Sequence, residues 1–250
     1  MRDNDERSRA LKFILKWLAS SSDDTPDGII LESAKGLTHD KHRFAKIIAT
    51  LKKKYTAKWA IIDTRLWLPQ SRKRVYMPNR AMHMFPTPPV APVSLATVLD
   101  GLPLSVSRDL PTGKVFVRNK ALAEKTLMNQ PVGAKAVADC GASKAMPSSM
   151  QDCSPCVARR RATGTALWLV CKVGNNTFEW FQLPPKAIGR LQGFPDPFID
   201  GVISALGDAD ACAAFGNSFS FGNLLAICCC YFDYDQRCSF VRLMPAVQLL

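Results

Sequence analysis

The stretch Leu68-Pro69-Gln70-Ser71-Arg72-Lys73-Arg74-Val75-Tyr76-Met77 constrains the fold more than any other part of the chain. A Pro-Gln turn leads into two arginines at alternate positions and then into an apolar run. Side chains along a strand repeat every second residue, so Gln70, Arg72 and Arg74 are expected to point the same way. Three donors on one face at the start of a strand form an oriented polar array. Taken alone, the same pattern fits a solvated edge strand equally well.

The elements on either side place that strand in an α/β pattern. Leu11, Ile14, Leu15 and Leu18 recur at helical spacing, so residues 5–20 are expected to form an amphipathic helix. Ile29-Ile30-Leu31 is a short β-branched run of buried-strand type, ending at Glu32. Thr38 is a candidate cap for a helix whose apolar stripe is Phe44, Ile47, Ile48 and Leu51. Trp59 to Ile62 reads as the next strand. Helix, strand, helix, strand and the strand after Gln70 predict a mostly parallel sheet. From Pro86 to about Pro111 the prolines predict a linker or irregular wrap. Gly113 to Val117 reads as a strand, and residues 120–155 as loop-rich. Leu167–Val173 and Thr177–Leu183 read as two strands joined at Gly174-Asn175-Asn176. Pro185 suits the first turn of a helix through Leu191. Two further helices are expected over 207–214 and 221–231, separated by Phe215-Gly216-Asn217-Ser218. The domain reading is 1–85, then a linker and recognition region 86–184, helices returning over 185–231, and an unassigned tail 232–250.

The net charge of +12 on 250 residues favours a polyanionic partner, nucleic acid before membrane. Arg159-Arg160-Arg161 read as a phosphate-facing basic patch or as a solvated run. The start of the sequence, Met1-Arg2-Asp3-Asn4-Asp5-Glu6-Arg7, is too charged for a secretory signal, and no apolar run reaches membrane-spanning length. The nine cysteines are odd in number and irregularly spaced, which predicts reduced thiols in a nuclear or cytoplasmic protein. Cys153-Ser154-Pro155-Cys156 has no second pair to complete a zinc site, so no metal is expected.

Four segments, in this order, resemble the carboxy-terminal half of the cytosine-5 DNA methyltransferases. They are Ile30 to Leu37 (the Glu-Asn-Val segment), Pro69 to Val75 (Gln-x-Arg-x-Arg), Leu183 to Asp196 (the Leu-Gln-Gly-Phe-Pro brace) and Phe215 to Ser218 (the Gly-Asn-Ser segment). The resemblance covers residues 1 to about 230. It implies a partial Rossmann-like α/β methyltransferase domain with a small loop-rich recognition domain. It also implies S-adenosyl-L-methionine as cofactor, DNA as partner and base flipping. A tRNA cytosine stays open as substrate, and so does a non-catalytic DNA-binding paralogue.

The chemistry explains these residue types. Carbon 5 of cytosine accepts a methyl group only after a thiolate has added to carbon 6. That addition is helped by a proton or hydrogen bond at N3, which a carboxyl held in a buried strand can supply. The resemblance gives this role to Glu32, and gives the O2 side of the base to Arg74 and less directly to Arg72. It makes Gln70 a support of the arginine strand and places Asn217 and Ser218 against the cofactor. Taken singly, Glu32 also reads as a surface carboxylate, and Gly216-Asn217 as a turn.

The sequence departs from the family pattern in four respects. There is no Pro-Cys-Gln: the Pro-Cys present is Pro155-Cys156, followed by Val157. No Gly-rich cofactor loop precedes Glu32. The chain is therefore expected to be a fragment, inactive alone; one subunit of a split enzyme, with the nucleophile on a second polypeptide, and a short coding model stay open beside that reading. Ser33 stands where the family has asparagine, and Lys186-Ala187 where it has Arg-Glu, which puts the anchoring of the recognition region in question.

Overall fold

A computed structural model describes residues 13–17, 29–53, 58–78, 92–140, 149–157 and 167–231. Of the expected helix over 5–20, residues 13–17 lie among these and are helical (α1). Arg159, Arg160, Arg161 and the 232–250 tail lie outside them. The chain divides into two compact units. The first comprises Met1–Ile62, Lys73–Phe85 and Cys230–Asp233; the second comprises Asp63–Arg72, Pro86–Cys229 and Tyr234–Leu250.

The first unit is built on a three-stranded sheet of β1 (Ile30–Ala34), β2 (Ala60–Asp63) and β3 (Lys73–Pro78), in the order β1-β3-β2. Helix α2 (Lys41–Lys52) joins β1 to β2. Its cap is Asp40, whose carboxylate accepts from the Arg43 N–H at 3.0 Å. The expected cap, Thr38, lies instead in the short 3-10 turn Lys35–His39. Phe44, Ile47 and Leu51 on α2 bury against Val75 and Met77 of β3, the period-3.6 stripe of a helix meeting the period-2 face of a strand.

The expectation of a mostly parallel sheet does not hold: β3 runs antiparallel to β1, with Glu32 opposite Tyr76 and Ala34 opposite Arg74. A parallel strand pair needs a crossover of a dozen or more residues. Residues 64–72, with a 3-10 turn at Thr64–Leu66, bring β3 back from β2 directly and hold no such crossover.

The second unit carries an antiparallel sheet of β4 (Lys135–Asp139), β5 (Ser149–Gln151), β6 (Leu167–Lys172) and β7 (Phe178–Gln182), in the order β5-β4-β6-β7. β6 and β7 form the hairpin expected at Gly174-Asn175-Asn176, closed by Val173 N–H to Thr177 O at 3.0 Å. The sheet is buried on both faces, and alternation along β6 decides which side chain goes where. Leu167 and Leu169 join one core with Val137, Leu183, Ile188, Leu191 and Phe215. Trp168 and Val170 join the other with Phe116, Ala123, Leu127 and Trp180.

Several expectations about this unit are corrected. The Pro-rich region read as irregular contains a short helix α3 (Leu95–Leu99), capped by Ser94, whose hydroxyl accepts from Thr97 N–H. Gly113–Val117 is not a strand, and the described residues of 120–155 include a helix and two strands besides loop. Lys114–Leu127 is one helix, α4, followed by β4 and β5. Its β-branched start at Val115 and Val117 imitates a strand, while its buried stripe of Phe116, Asn119, Ala123 and Leu127 has the helical period. Helix α5 spans Pro185–Leu191 with Pro185 at its start.

The helix expected over 207–214 begins earlier and ends later, as α6 (Asp196–Asn217). Gly207, at φ +72°, interrupts it in a backbone region that glycine tolerates, and the sequence pattern registered only the part beyond that break. Gly216 and Asn217 therefore end α6, and α7 (Phe221–Tyr231) follows after Ser218.

Candidate active site

In the first unit, the β1/β3 register puts Glu32, Arg74 and Tyr76 on one face of the sheet. Antiparallel partners share a face, and diagonal neighbours lie within reach of long side chains. Arg74 Nε meets Glu32 Oε1 at 3.0 Å across that diagonal. Both side chains are partly covered, 18% and 17% exposed respectively, and Arg74 Nη1 also donates to Lys73 O at 3.0 Å. Glu32 sits in mid-strand, where sequence reading placed it at the strand end. The result is a carboxylate and a guanidinium side by side. One can accept or give a proton, and the other donates hydrogen bonds without titrating.

Gln70 and Arg72 belong to the second unit. Gln70 is fully buried. Its Nε2 donates to Leu191 O at 2.6 Å, and its Oε1 accepts from Val157 N–H at 3.2 Å. Arg72 is 3% exposed. Its Nη1 donates to Val157 O at 2.6 Å, and its Nη2 to Ser218 O at 2.7 Å. Nη1 also lies 3.5 Å from both Gly216 O and Cys156 Sγ. The two side chains bracket Val157, one taking its N–H and the other its carbonyl. The backbone is stitched alongside, with Ser154 N–H to Pro69 O at 2.7 Å and Ser71 N–H to Ser154 O at 2.8 Å. Buried main-chain polar groups need partners, and here two side chains of the Pro-Gln-x-Arg string supply them.

Sequence reasoning missed Gln192. It is fully buried, its Nε2 donates to Phe215 O at 2.8 Å, and its Oε1 lies 3.4 Å from Gln70 Nε2. A glutamine between Leu191 and Gly193, in an otherwise apolar string, was the signal. Ser218 has both oxygens engaged: Oγ donates to Phe215 O at 2.6 Å, and its carbonyl accepts from Arg72. Asn217 is exposed at the end of α6. Of the two residues assigned to a cofactor, Asn217 thus presents its amide outward while Ser218 holds the turn.

Arg190 ties α5 to the start of α6 and to the end of α3. Its guanidinium grips Asp196 through Nε at 2.8 Å and Nη2 at 2.6 Å, and its Nη1 donates to Val98 O and Asp100 O at the end of α3. The Arg190 hydrogen bond, then that of Lys186, holds the Asp196 carboxyl below its ordinary range, against the opposing effect of partial burial. Lys186 also reaches Asp200 at 2.9 Å, and Ala187 packs fully buried.

Burial raises the thiols of Cys140 and Cys212 alike. Burial pushes Cys140 up to about 12, with the Asp139 charge adding to it. Burial pushes Cys212 up to about 11, aided by Asp208. Neither is a thiolate near neutral pH. Among the described residues, no cluster of three or more His, Cys, Asp or Glu is arranged to hold a metal, and no helix is long and apolar enough to cross a membrane.

No protein-family model matches the chain, and no curated protein does. Solved structures do. The Entamoeba histolytica methyltransferase EhMeth superposes with a TM-score of 0.54 over 89% of this chain and 67% of its own, at 19% identity. The chain has a methyltransferase-like α/β fold. A putative DNA modification methyltransferase encoded within an E. coli prophage (14% identity, TM-score 0.49, 89% of this chain and 72% of that one) is a more distant likeness. So is the S. pombe Dnmt2 methyltransferase (16%, 0.47, 91% and 73%). At these identities the likeness is one of fold.

Proposed function

We propose that this chain is the base-binding part of an S-adenosyl-L-methionine-dependent DNA cytosine-5 methyltransferase. The observation that carries the reading is the Glu32–Arg74 pair, brought together by an antiparallel register that the sequence did not predict. A flipped cytosine offers N3 and the exocyclic amine on one edge and O2 beside them. Glu32 accepts from the exocyclic amine and shares a proton with N3, which makes carbon 6 more electrophilic. Arg74 donates to O2 and balances the charge that develops there. Arg72 is a positioning residue, holding the Gly216–Ser218 carbonyls so that Asn217 faces the cofactor side. S-adenosyl-L-methionine, when bound, supplies the methyl group. The attacking thiolate is not provided by Cys140 or Cys212, whose thiols stay protonated. With no Pro-Cys-Gln in its 250 residues, the nucleophile has to come from outside these residues, as from a partner segment or polypeptide, and on its own the chain transfers no methyl group.

Base capture is testable without the nucleophile. A duplex with cytosine opposite an abasic site, next to 2-aminopurine, reports flipping as a rise in fluorescence. The rise is expected with the wild-type chain and lost in Arg74→Ala and Glu32→Ala. An unchanged signal in both folded variants would overturn the reading. Tritiated-methyl transfer by the purified chain alone would overturn the need for a partner.

A further inference from the structure

A second feature of the first unit lies outside the Glu32–Arg74 pair. Thr38, Lys41, Ala45, Ile48, Ala49 and Lys52 line a groove of about 450 Å³, walled by Phe44 and Trp59. Positions 41, 45, 48, 49 and 52 are one stripe of α2. Its middle is small and apolar and each end carries a lysine. Trp59 is 47% exposed, and its ring is fixed by an edge contact with Phe44, centroids 5.0 Å apart at 88°. A large aromatic surface held open beside lysines is unusual for a face that merely contacts water. From Lys41 to Ile62 the sequence contains no aspartate or glutamate, while Arg43, Lys46, Lys53 and Lys58 add to the positive field.

We propose that this groove binds a single-stranded nucleic-acid segment, with one base stacked on Trp59 and phosphates at Lys41 and Lys52. Aromatic rings with flanking cations are how unpaired strands are held without sequence readout. Eleven residue steps separate the two lysines, ~16 Å along α2 at 1.5 Å per residue. That distance spans several phosphates, which rise ~3.4 Å each along one strand of a duplex, so a strand fits better than a mononucleotide. The lysines at both ends of the groove disfavour a cationic ligand by repulsion. The inference does not depend on methyl transfer.

The test is fluorescence polarisation of a labelled twelve-residue oligothymidylate on the full-length chain, in a salt series. Trp59→Ala should weaken binding about tenfold, the scale of one lost stacking contact, and Trp59→Phe should keep most of it. Lys41→Ala with Lys52→Ala should lower the slope of log affinity against log salt by about 1.4, ~0.7 per phosphate contact. Should Trp59→Ala unfold, as judged by circular dichroism, the exposed lysine pair and Trp59→Phe carry the test. Unchanged affinity and slope in folded variants would overturn the proposal. So would displacement by thymidine monophosphate at oligonucleotide-like concentrations, or by polyglutamate with no effect of Trp59→Ala.

Discussion

Arg72 and Arg74 are two residues apart in one motif, yet they have opposite surroundings. Arg72 is almost wholly buried, and its guanidinium donates to main-chain carbonyls of Val157, Ser218 and Gly216. Arg74 is partly open and faces one carboxylate. A buried guanidinium cannot leave its carbonyls for a substrate without stranding them in a low-dielectric interior. A half-open ion pair can exchange partners at small cost, because its net worth in that setting is modest. Proximity in a motif is therefore a poor guide to role: one arginine builds the fold, and the other is available to a ligand.

The most severe test of this contrast is Arg72→Ala. It removes the guanidinium donors from two closely held carbonyls, leaving Val157 O only the weak thiol of Cys156 at 3.4 Å, at ~1–3 kcal/mol each, so a loss of about 3 kcal/mol is expected in urea unfolding. Arg72→Lys should recover little, since one ammonium cannot serve carbonyls on two separate segments. Wild-type stability in Arg72→Ala would break the contrast. Gln70→Ala comes next. It strands Leu191 O and Val157 N–H in a fully buried site, for a loss of about 2–3 kcal/mol. A double-mutant cycle with Gln192→Ala should show coupling of at least ~0.5 kcal/mol, because the two amides share a network.

Arg74→Ala is expected to behave differently, with under ~1 kcal/mol of stability lost and the 2-aminopurine signal abolished. A large destabilisation with flipping intact would assign Arg74 to the fold as well, and the contrast would disappear.

The pair that could bind a base was partly legible in the sequence, because Glu32 and Arg74 are charged residues in strands of recognisable period. Their meeting was not legible. It depends on β3 running against β1, and strand direction follows from how short the 64–72 connection is, not from the strands themselves. The role of Arg72 was illegible for another reason. Its partners are backbone carbonyls 85 and 146 residues away, and a carbonyl has no sequence signature. Helix α4 was hidden by Val115 and Val117, and by a start at Gly113 with no side-chain cap. The β6–β7 hairpin, with its Gly-Asn-Asn turn and alternating core residues, was read correctly because every signal there is local.

Arg190 lies between the two extremes and gives the smallest predicted effect. Like Arg72 it holds main-chain carbonyls, Val98 O and Asp100 O; like Arg74 it pairs with a carboxylate. Asp196 is depressed by that pairing, so the folded state binds its proton less readily than the unfolded chain does. The stabilisation is therefore complete above the ordinary carboxylate value, about pH 4. It declines as pH falls through the lower, folded value. Asp196 is 37% exposed, so solvent screening keeps the contribution under about 1 kcal/mol. Asp196→Asn should lower the melting temperature by a few degrees at pH 7 and by less in acid below the ordinary carboxylate value, where part of the wild-type stabilisation has gone. An equal loss at both pH values would mean that Arg190 is held by its carbonyls alone. It would then belong with Arg72, as a part of the fold whose charge has no titrating partner.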